Sequence, residues 1–425
     1  MRSPSPSPPP RHALLIASAC LLALLSTTGA SLPYPILAPL FGGDAASPLT
    51  HFLGLPAKLL LGMALMVNPL GLLIGSAVLG AVSDRFGRRR ILLATAIGAA
   101  IGHGLTAAAL VMESYPLFLL ARFATGLLEG NGAIMRAMLA EKLEGGLRNH
   151  ALSWLNGAFH LGWLFGPLLA GLTAGVSITL PFSIAAGALL LGAGLVLLAL
   201  EREAVLPGHG ERWWTVARER HAFTLLRHAP LRTLFTVHFA YACGVAGFYE
   251  FFPLWLVDVG RYDVRQIAFV NMGMCALMTF AALFAGRASS AEPRRRASLQ
   301  AGLAALAILA VGFGNLGVGL FAIVLFGLPH AYYNATVQGW AAHQFAGYGQ
   351  GAVMGLLSTT FCLANIVMAL AGGILALVDT RIVLVVGGAM AVGAALAMRR
   401  WSGRAIDLSE NAAAKAAPNA SVEAR

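Results

Sequence analysis

The chain has 425 residues, of which 58% are hydrophobic and only 11% are charged, and its formal net charge is +11. Soluble domains carry about 25% charged residues, so this composition excludes an ordinary soluble protein and indicates a membrane protein. The apolar runs are helix-length and do not alternate, which excludes an outer-membrane barrel. The basic residues are grouped in short segments between apolar runs, which argues against a nucleic-acid-binding surface.

Residues 1–12 are rich in proline and serine and are predicted to be disordered. The apolar run at 13–30 has features of a secretory signal. Because it continues into a proline-containing apolar stretch, we expect an uncleaved first helix with a bent outer end, and cleavage after the run is the alternative. The whole pattern predicts an all-α membrane protein with twelve transmembrane helices. The predicted spans are 13–41, 57–82, 91–112, 117–141, 150–176, 180–200, 231–258, 265–287, 299–315, 318–344, 351–376 and 381–398.

The break at 315–318 is the weakest of these boundaries, and without it the orientation of every later span is reversed. Most of the 29 lysines and arginines lie in alternate connections, beginning with the N-terminus. The positive-inside rule therefore predicts that both termini are cytoplasmic. The longest polar segment separates six predicted spans from six, so we expect two six-helix bundles that are structural pseudo-repeats. The predicted parts are a disordered N-terminus 1–12, a bundle 13–200, a cytoplasmic linker 201–230, a bundle 231–398 and a disordered tail 399–425.

The fourth predicted span carries Arg122, Glu129 and Arg136, spaced seven residues apart. Seven steps fall within about 20° of two full helical turns, so these side chains would share one face of a single helix. A charge near the bilayer centre costs at least about 2.5 kcal/mol, so such a face lines a polar route. Glu129 is the strongest candidate for a proton carrier, with Arg122 modulating it. The alternative is a static ion pair of Glu129 with either arginine.

Glu250 is the second acid inside an apolar run, and it lies among aromatic residues in the sequence GFYEFFPLW. An acid among aromatic rings suits a cationic or amphipathic substrate. The alternative is a carboxyl group bonded to the first helix or to another neighbour. We interpret His160, His238 and His330 as packing residues rather than a proton relay. The predicted cavity-lining residues are Tyr34, Asn131, Arg136, Phe248, Tyr249, Trp255, Tyr332 and Asn334.

Between the second and third predicted spans lies the sequence GAVSDRFGRRR, residues 80–90. Asp84 can accept hydrogen bonds from a helix N-terminus or an arginine, and glycine permits close approach and a sharp turn. This stretch resembles the signature loop of the major facilitator superfamily. The residues that carry the resemblance are Gly80, Asp84, Arg85, Gly87 and Arg88.

Two further stretches are similar to patterns of that superfamily. Arg122 and Gly126 match its fourth-helix pattern R-x-x-x-G. The fifth span resembles an element of the drug/H⁺ antiporter branch, which includes the tetracycline exporters, through Gly162, Gly166, Pro167 and Gly171. The resemblance implies alternating access between two bundles, with the Asp84 loop acting in gating. The alternative for that loop is a topology anchor.

These observations favour an inner-membrane, proton-coupled exporter of small organic molecules that works by H⁺ antiport. A proton-linked uptake symporter and a siderophore exporter are alternatives of the same class, and a membrane-embedded enzyme or a channel is an alternative of another class. The sequence shows no Walker loop and no familiar hydrolase motif. We therefore expect no enzyme activity, no metal and no cofactor, with the proton gradient as driving force. The expected partners are protons, the substrate and the lipid bilayer, and the expected state is a monomer.

Overall fold

The computed structural model describes residues 10–43, 47–200, 222–285 and 292–401, and these ranges contain helices and no strand. Two short 3₁₀ helices span Ala222–Arg227 and Ala346–Tyr348. The α-helices of the described ranges are α1 (Pro10–Ser31), α2 (Tyr34–Gly42), α3 (Ala57–Phe86), α4 (Arg88–Val111), α5 (Tyr115–Glu129), α6 (Gly132–Lys142), α7 (Gly145–Thr173), α8 (Leu180–Ala199), α9 (Ala229–Gly260), α10 (Val264–Ala285), α11 (Pro293–Phe313), α12 (Leu316–Gln344), α13 (Gln350–Leu375) and α14 (Thr380–Arg400).

Every predicted span overlaps a helix or a pair of consecutive helices. Among the described residues, 10 helical segments are long and apolar enough to cross a membrane, with α1 and α2 counted together. The predicted spans 117–141 and 150–176 fall on α5–α6 and on α7, which are not among those segments. The uncertain break near residue 315 exists, and the Asn315 side chain accepts a hydrogen bond from the Val318 amide at 3.0 Å as an N-cap of α12. Twelve crossings stay a prediction.

The expectation of one continuous helix over 117–141 is wrong. The first helix of this stretch, α5, ends at Glu129, and α6 begins at Gly132. A glycine–asparagine pair separates them, and both residue types favour turns over helix interiors. The two arginines therefore lie in different environments: Arg122 on α5 is buried, whereas Arg136 on α6 is exposed.

The first apolar run is broken, as predicted, at its proline-containing outer part. The helix α1 ends at Ser31, and α2 begins after Pro33. Proline has no backbone N–H, so the carbonyl of Gly29, four residues earlier, loses its usual helical donor. The break thus leaves a polar backbone group inside a membrane-length segment, and such a group needs another partner.

We call the helices before residues 201–221 the first group (α1–α8) and those after them the second group (α9–α14). Contacts between the groups are made mainly by the pairs α2–α9, α2–α10, α3–α13 and α7–α10. A repeat relationship between the groups and the predicted domain limits stay predictions. The predicted disordered termini and the linker fall largely on 1–9, 201–221 and 402–425, outside the described residues.

Candidate functional site

Arg122 is held at the break between α1 and α2. Its guanidinium group is 3% exposed and donates to the carbonyl oxygens of Gly29 and Ala30, each at 3.4 Å. The Gly29 carbonyl is the one freed by Pro33. Within the described residues no ion pair of Arg122 is found, so this buried arginine is satisfied mainly by backbone groups of α1.

Close packing between α3 and α5 fixes the position of Arg122. A Cβ atom at Gly126 would collide with the carbonyl oxygen of Asn68, and one at Gly75 would collide with that of Leu127. The backbones therefore approach as closely as small residues allow. The Asn68 side chain also donates to the carbonyl of Arg122 at 3.2 Å. The R-x-x-x-G pattern thus combines a buried charge with the glycine that lets the neighbouring helix approach.

Glu129 is paired with a histidine rather than with an arginine. Its Oε1 lies 2.9 Å from Nε2 of His103 on α4, and the two residues are 4% and 0% exposed. The expected alternative of an ion pair with Arg122 or Arg136 is therefore wrong. Its second oxygen, Oε2, has no hydrogen-bond partner among the described residues. No sequence pattern marked His103 as a partner of Glu129.

Glu250 lies on α9 in the second group and is 2% exposed. Neither of its carboxylate oxygens has a hydrogen-bond partner among the described residues. The expected alternative, a bond to the first helix or to another neighbour, is therefore not found in this structure. Tyr34 on α2 interacts electrostatically with both Glu250 and Arg122, so it lies near charged groups of both helix groups.

Four aromatic side chains, which we call the ring cluster, meet between the two helix groups: Tyr34 (α2), Trp163 (α7), Tyr249 (α9) and Phe361 (α13). The ring centroid of Trp163 lies 5.9 Å from that of Tyr34, 6.2 Å from that of Tyr249 and 6.3 Å from that of Phe361. These separations allow tilted and edge-on packing. Tyr34 and Tyr249 were predicted as cavity residues, whereas Trp163 and Phe361 were missed.

The other predicted cavity residues of α9 lie in packed surroundings. Phe248 is fully buried, with its ring centroid 4.3 Å from that of Phe326. Trp255 is also fully buried and packs against α12, where a Cβ atom at Gly319 would collide with its indole ring. The structure therefore supports packing roles for these two side chains.

The remaining predicted cavity residues belong to α6 and its N-terminus and to α12. Asn131 precedes α6, is 2% exposed and donates to the Thr95 hydroxyl at 3.3 Å. The Arg136 guanidinium group lies 5.1 Å from the ring centroid of Phe159 and is exposed. An exposed arginine on a predicted span indicates access to water rather than to lipid.

On α12, Asn334 is hydrogen-bonded to His330 at 3.0 Å, and Tyr332 lies 5.5 Å from the guanidinium carbon of Arg296. His330 is also bonded to the Tyr241 hydroxyl at 3.0 Å, and His238 is bonded to the Tyr333 hydroxyl at 3.2 Å. Both histidines are thus hydrogen-bonded to neighbouring tyrosines, consistent with packing roles.

The Asp84 loop joins α3 to α4 along the chain, and its ion pairs link both helices to the end of α6. Asp84 lies 3.2 Å from the guanidinium group of Arg88, which also forms an ion pair with Glu141. Gly87 has a φ of 92°, which explains its place at the sharp turn between α3 and α4. Gly80 does not mediate the expected close approach, because a Cβ atom there would meet nothing within 4 Å. The guanidinium group of Arg85 lies 5.5 Å from the ring centroid of Phe86.

The fifth-span element forms one face of α7 against α1 and α10. A Cβ atom at Gly162 or Gly166 would collide with α1, and the Ser31 hydroxyl donates to the Gly162 carbonyl at 3.0 Å. Farther along, a Cβ atom at Gly171 would collide with Ala268 of α10. Pro167 is buried between them. The element therefore packs α7 against the α1–α2 break and against the second group.

The two groups are in direct contact near Lys58, at the N-terminus of α3, and we call this end of the molecule the Lys58 end. A Cβ atom at Gly62 of α3 would collide with the Ala369 carbonyl of α13 and would lie 2.9 Å from the Gly373 Cα. A Cβ atom at Gly42 of α2 would lie 2.6 Å from a Leu254 methyl group of α9. The two helix groups are therefore closed against each other at the Lys58 end.

The sequence profile of the Major Facilitator Superfamily matches residues 14–317. The chain belongs to the Major Facilitator Superfamily. Its described residues include 10 helical segments long and apolar enough to cross a membrane, as expected of a multi-pass membrane protein of this superfamily.

Its relatives include tetracycline resistance proteins. It is 31% identical over 170 residues to the class B protein of Escherichia coli, a match that spans 40% of this chain and 39% of that relative's length. It is 27% identical over 317 residues to the class G protein of Vibrio anguillarum, spanning 72% of this chain and 77% of that relative. The crystal structure of the human organic anion transporter MFSD10 (TETRAN) shares the fold, with a TM-score of 0.66 and 19% identity over 92% of this chain and 100% of that one.

Proposed function

We propose that this superfamily member is a proton-coupled exporter of small organic molecules that exchanges its substrate for H⁺ by alternating access. The observation that carries the proposal is a pair of buried acids, one in each helix group. Glu129 is 4% exposed and Glu250 is 2% exposed, and both retain carboxylate oxygens without a partner among the described residues. An unpaired buried carboxylate is costly, and such a group relieves that cost by binding a proton.

The ring cluster supports a central substrate site between these acids. Its four side chains come from both helix groups, so a change in the relative position of the groups also changes the site. Aromatic rings beside an unpartnered carboxylate suit an amphipathic or cationic organic molecule. The similarity to tetracycline resistance proteins makes tetracycline the first compound to test.

Closure of the two groups at the Lys58 end supports alternating access, since these contacts close one end while the Arg136 side chain of α6 is exposed. By the positive-inside rule, the basic residues of the alternate connections support a cytoplasmic location for the Asp84 loop and both termini. The proposed location is the bacterial inner membrane, with the Lys58 end outside. The proposed state is a monomer with twelve crossings that is driven by the proton gradient, without a cofactor or an enzymatic step.

The test uses everted membrane vesicles that contain the full chain, with tetracycline as the probe and an imposed proton gradient as the driving force. The expected result is gradient-dependent accumulation of tetracycline that is abolished in Glu129→Gln. The matched control is Glu113→Gln, since Glu113 is an exposed acid that precedes α5. Proton-driven accumulation that persists in Glu129→Gln refutes the carrier role, and accumulation only in right-side-out vesicles shows uptake instead of export.

A further inference from the structure

His103 is placed in the middle of α4 with its ring enclosed on several sides. It is 0% exposed, and its ring centroid lies 6.4 Å from that of Phe182 on α8. From α1, the backbone of Gly29 approaches so closely that a Cβ atom there would collide with His103 Nε2. The remaining neighbour is Glu129 of α5, whose Oε1 lies 2.9 Å from His103 Nε2. Among the described residues, the imidazole therefore has one polar contact, and that contact is the candidate proton carrier.

When Glu129 is ionised, the donors and acceptors of the two side chains favour His103 Nε2 as the donor of their hydrogen bond. An ionised carboxylate only accepts, whereas a neutral imidazole carries one N–H and one bare nitrogen. Nδ1 of His103 has no partner among the described residues. A hydrogen on Nδ1 would thus be a buried donor without an acceptor, which is costly. The arrangement with the hydrogen on Nε2, donated to Glu129 Oε1, leaves no donor unsatisfied.

The other groups around Glu129 do not supply this hydrogen bond. Arg122, about two turns earlier on the same face of α5, donates to α1 carbonyls at 3.4 Å. The neutral side chain of Asn68 on α3 donates to the Arg122 carbonyl, and Tyr34 of α2 is in electrostatic range of Arg122 rather than in contact with Glu129. The charged and titratable neighbours of Glu129 in the described residues are therefore His103, in contact, and Arg122, at longer range.

We propose that His103 is a positioning residue for proton exchange at Glu129. Its Nε2–H donates to Oε1 and orients the carboxylate, while Oε2 has no hydrogen-bond partner among the described residues. On loading, in a state of the transport cycle in which water reaches Oε2, a hydronium ion transfers its proton to Oε2 and leaves a water molecule, and the charge of the carboxyl group changes from −1 to 0. On release that bond breaks, and the proton returns to water. The inference rests on the proposed function of Glu129.

Removing the donor should make Glu129 hold its proton more tightly, because the neutral acid no longer competes with a hydrogen-bonded carboxylate. His103→Leu deletes the donor and keeps an apolar side chain against Phe182. His103→Gln retains an N–H that can reach Oε1 but cannot titrate near neutral pH. His238→Leu is the matched control, since His238 is a buried histidine that is hydrogen-bonded to Tyr333 rather than to an acid.

The measurement is a pH titration of the carboxyl stretching band in infrared difference spectra of the purified full-length protein, which needs no substrate. Glu129 is identified as the component that disappears in Glu129→Gln. We expect the midpoint of this component to move up by about one pH unit in His103→Leu, a tenfold rise in proton affinity. We expect it to stay within about 0.3 unit in His103→Gln and in the control.

An unchanged midpoint in His103→Leu overturns the proposal, and so does an equal shift in the Leu and Gln variants. If His103→Leu does not fold, His103→Asn replaces it, because its shorter amide cannot reach Oε1 and should shift the midpoint whereas Gln does not. Different results contradict the proton-carrier role of Glu129 and the positioning role of His103. Proton-driven transport that persists in Glu129→Gln removes the proposed function, whereas normal Glu129 dependence with an unmoved midpoint in His103→Leu removes the role of His103 alone.

Discussion

Lys58, at the start of α3, forms an ion pair with Asp258, near the end of α9, with 2.8 Å between Nζ and Oδ2. Thr380, the first residue of α14, donates to the same carboxylate oxygen at 2.6 Å. The pair joins the two helix groups at the Lys58 end, and its side chains are 29% and 28% exposed. Such a partly exposed ion pair contributes about 0–1 kcal/mol to the stability of the closed Lys58 end. This free energy favours the closed conformation over the open one but still allows the Lys58 end to open.

Asp258→Asn should therefore shift the protein towards a state in which the Lys58 end is open, by roughly two- to fivefold in population. The measurement is the reaction rate of Ala369→Cys with a water-soluble maleimide, in a variant that lacks the four native cysteines. Ala369 is fully buried in the contact with α3, so its rate reports opening. The double variant with Lys58→Asp and Asp258→Lys should restore protection. Equal rates in the single and double variants would contradict this role.

Gly62→Ala should prevent the Lys58 end from closing fully. A Cβ atom at Gly62 meets the backbone of α13, which cannot move aside as a flexible side chain could. Because packed helices tolerate little added volume, we expect transport to fall about tenfold or more while the purified protein keeps its helical content. Gly104→Ala is the control, since a Cβ atom there meets nothing within 4 Å. Equal transport by the two variants would show that the contact with α13 is dispensable.

Trp163→Ala should weaken substrate binding, because the indole contacts three rings of the cluster from both helix groups. The loss of aromatic packing, worth about 0.5–1.5 kcal/mol per pair, predicts a roughly three- to tenfold rise in the Kd of tetracycline. Trp163→Phe keeps one aromatic face and should recover most of the affinity. The Kd is measured with purified protein. Equal values for Ala and Phe would exclude ring packing as the cause.

Asp84→Asn and Arg88→Gln should slow the turnover number more than they weaken substrate binding. Each removes one partner from the ion-pair chain that joins α3, α4 and α6 at the end opposite Lys58. Since both acids of the chain are largely exposed, with Asp84 65% and Glu141 57% exposed, whereas Arg88 is only 12% exposed, we expect about fivefold slower turnover and an unchanged Kd. Arg90→Gln makes the same charge change as Arg88→Gln at an exposed neighbouring position and is the control. A normal turnover number in both test variants removes the gating assignment.

The sequence was sufficient to locate the helices, because long apolar runs bounded by glycine, proline and charges leave few alternatives. It failed at the division of 117–141, where the seven-residue spacing of charges favoured one helix. The glycine–asparagine–glycine sequence at 130–132 was the signal for a break. Side-chain spacing along an assumed helix cannot reveal that its axis is interrupted.

His103 could not be identified from the sequence, because a single histidine in an apolar run has no spacing that links it to an acid 26 residues later. Its pairing with Glu129 depends on how α4 lies against α5. Trp163 and Phe361 were missed for the same reason, since the ring cluster is formed by residues from four separate helices. Arg122, Glu129 and Glu250, by contrast, were identifiable because charges stand out in apolar segments.

Proline at position 33 has one more effect. Because the buried guanidinium of Arg122 is solvated by α1 carbonyls instead of by a carboxylate, its own surroundings need not be rebuilt when a nearby acid is neutralised. A permanent positive charge of this kind supplies a constant background potential inside the membrane. The carbonyl groups at the α1–α2 break therefore take the place of water around the Arg122 guanidinium group.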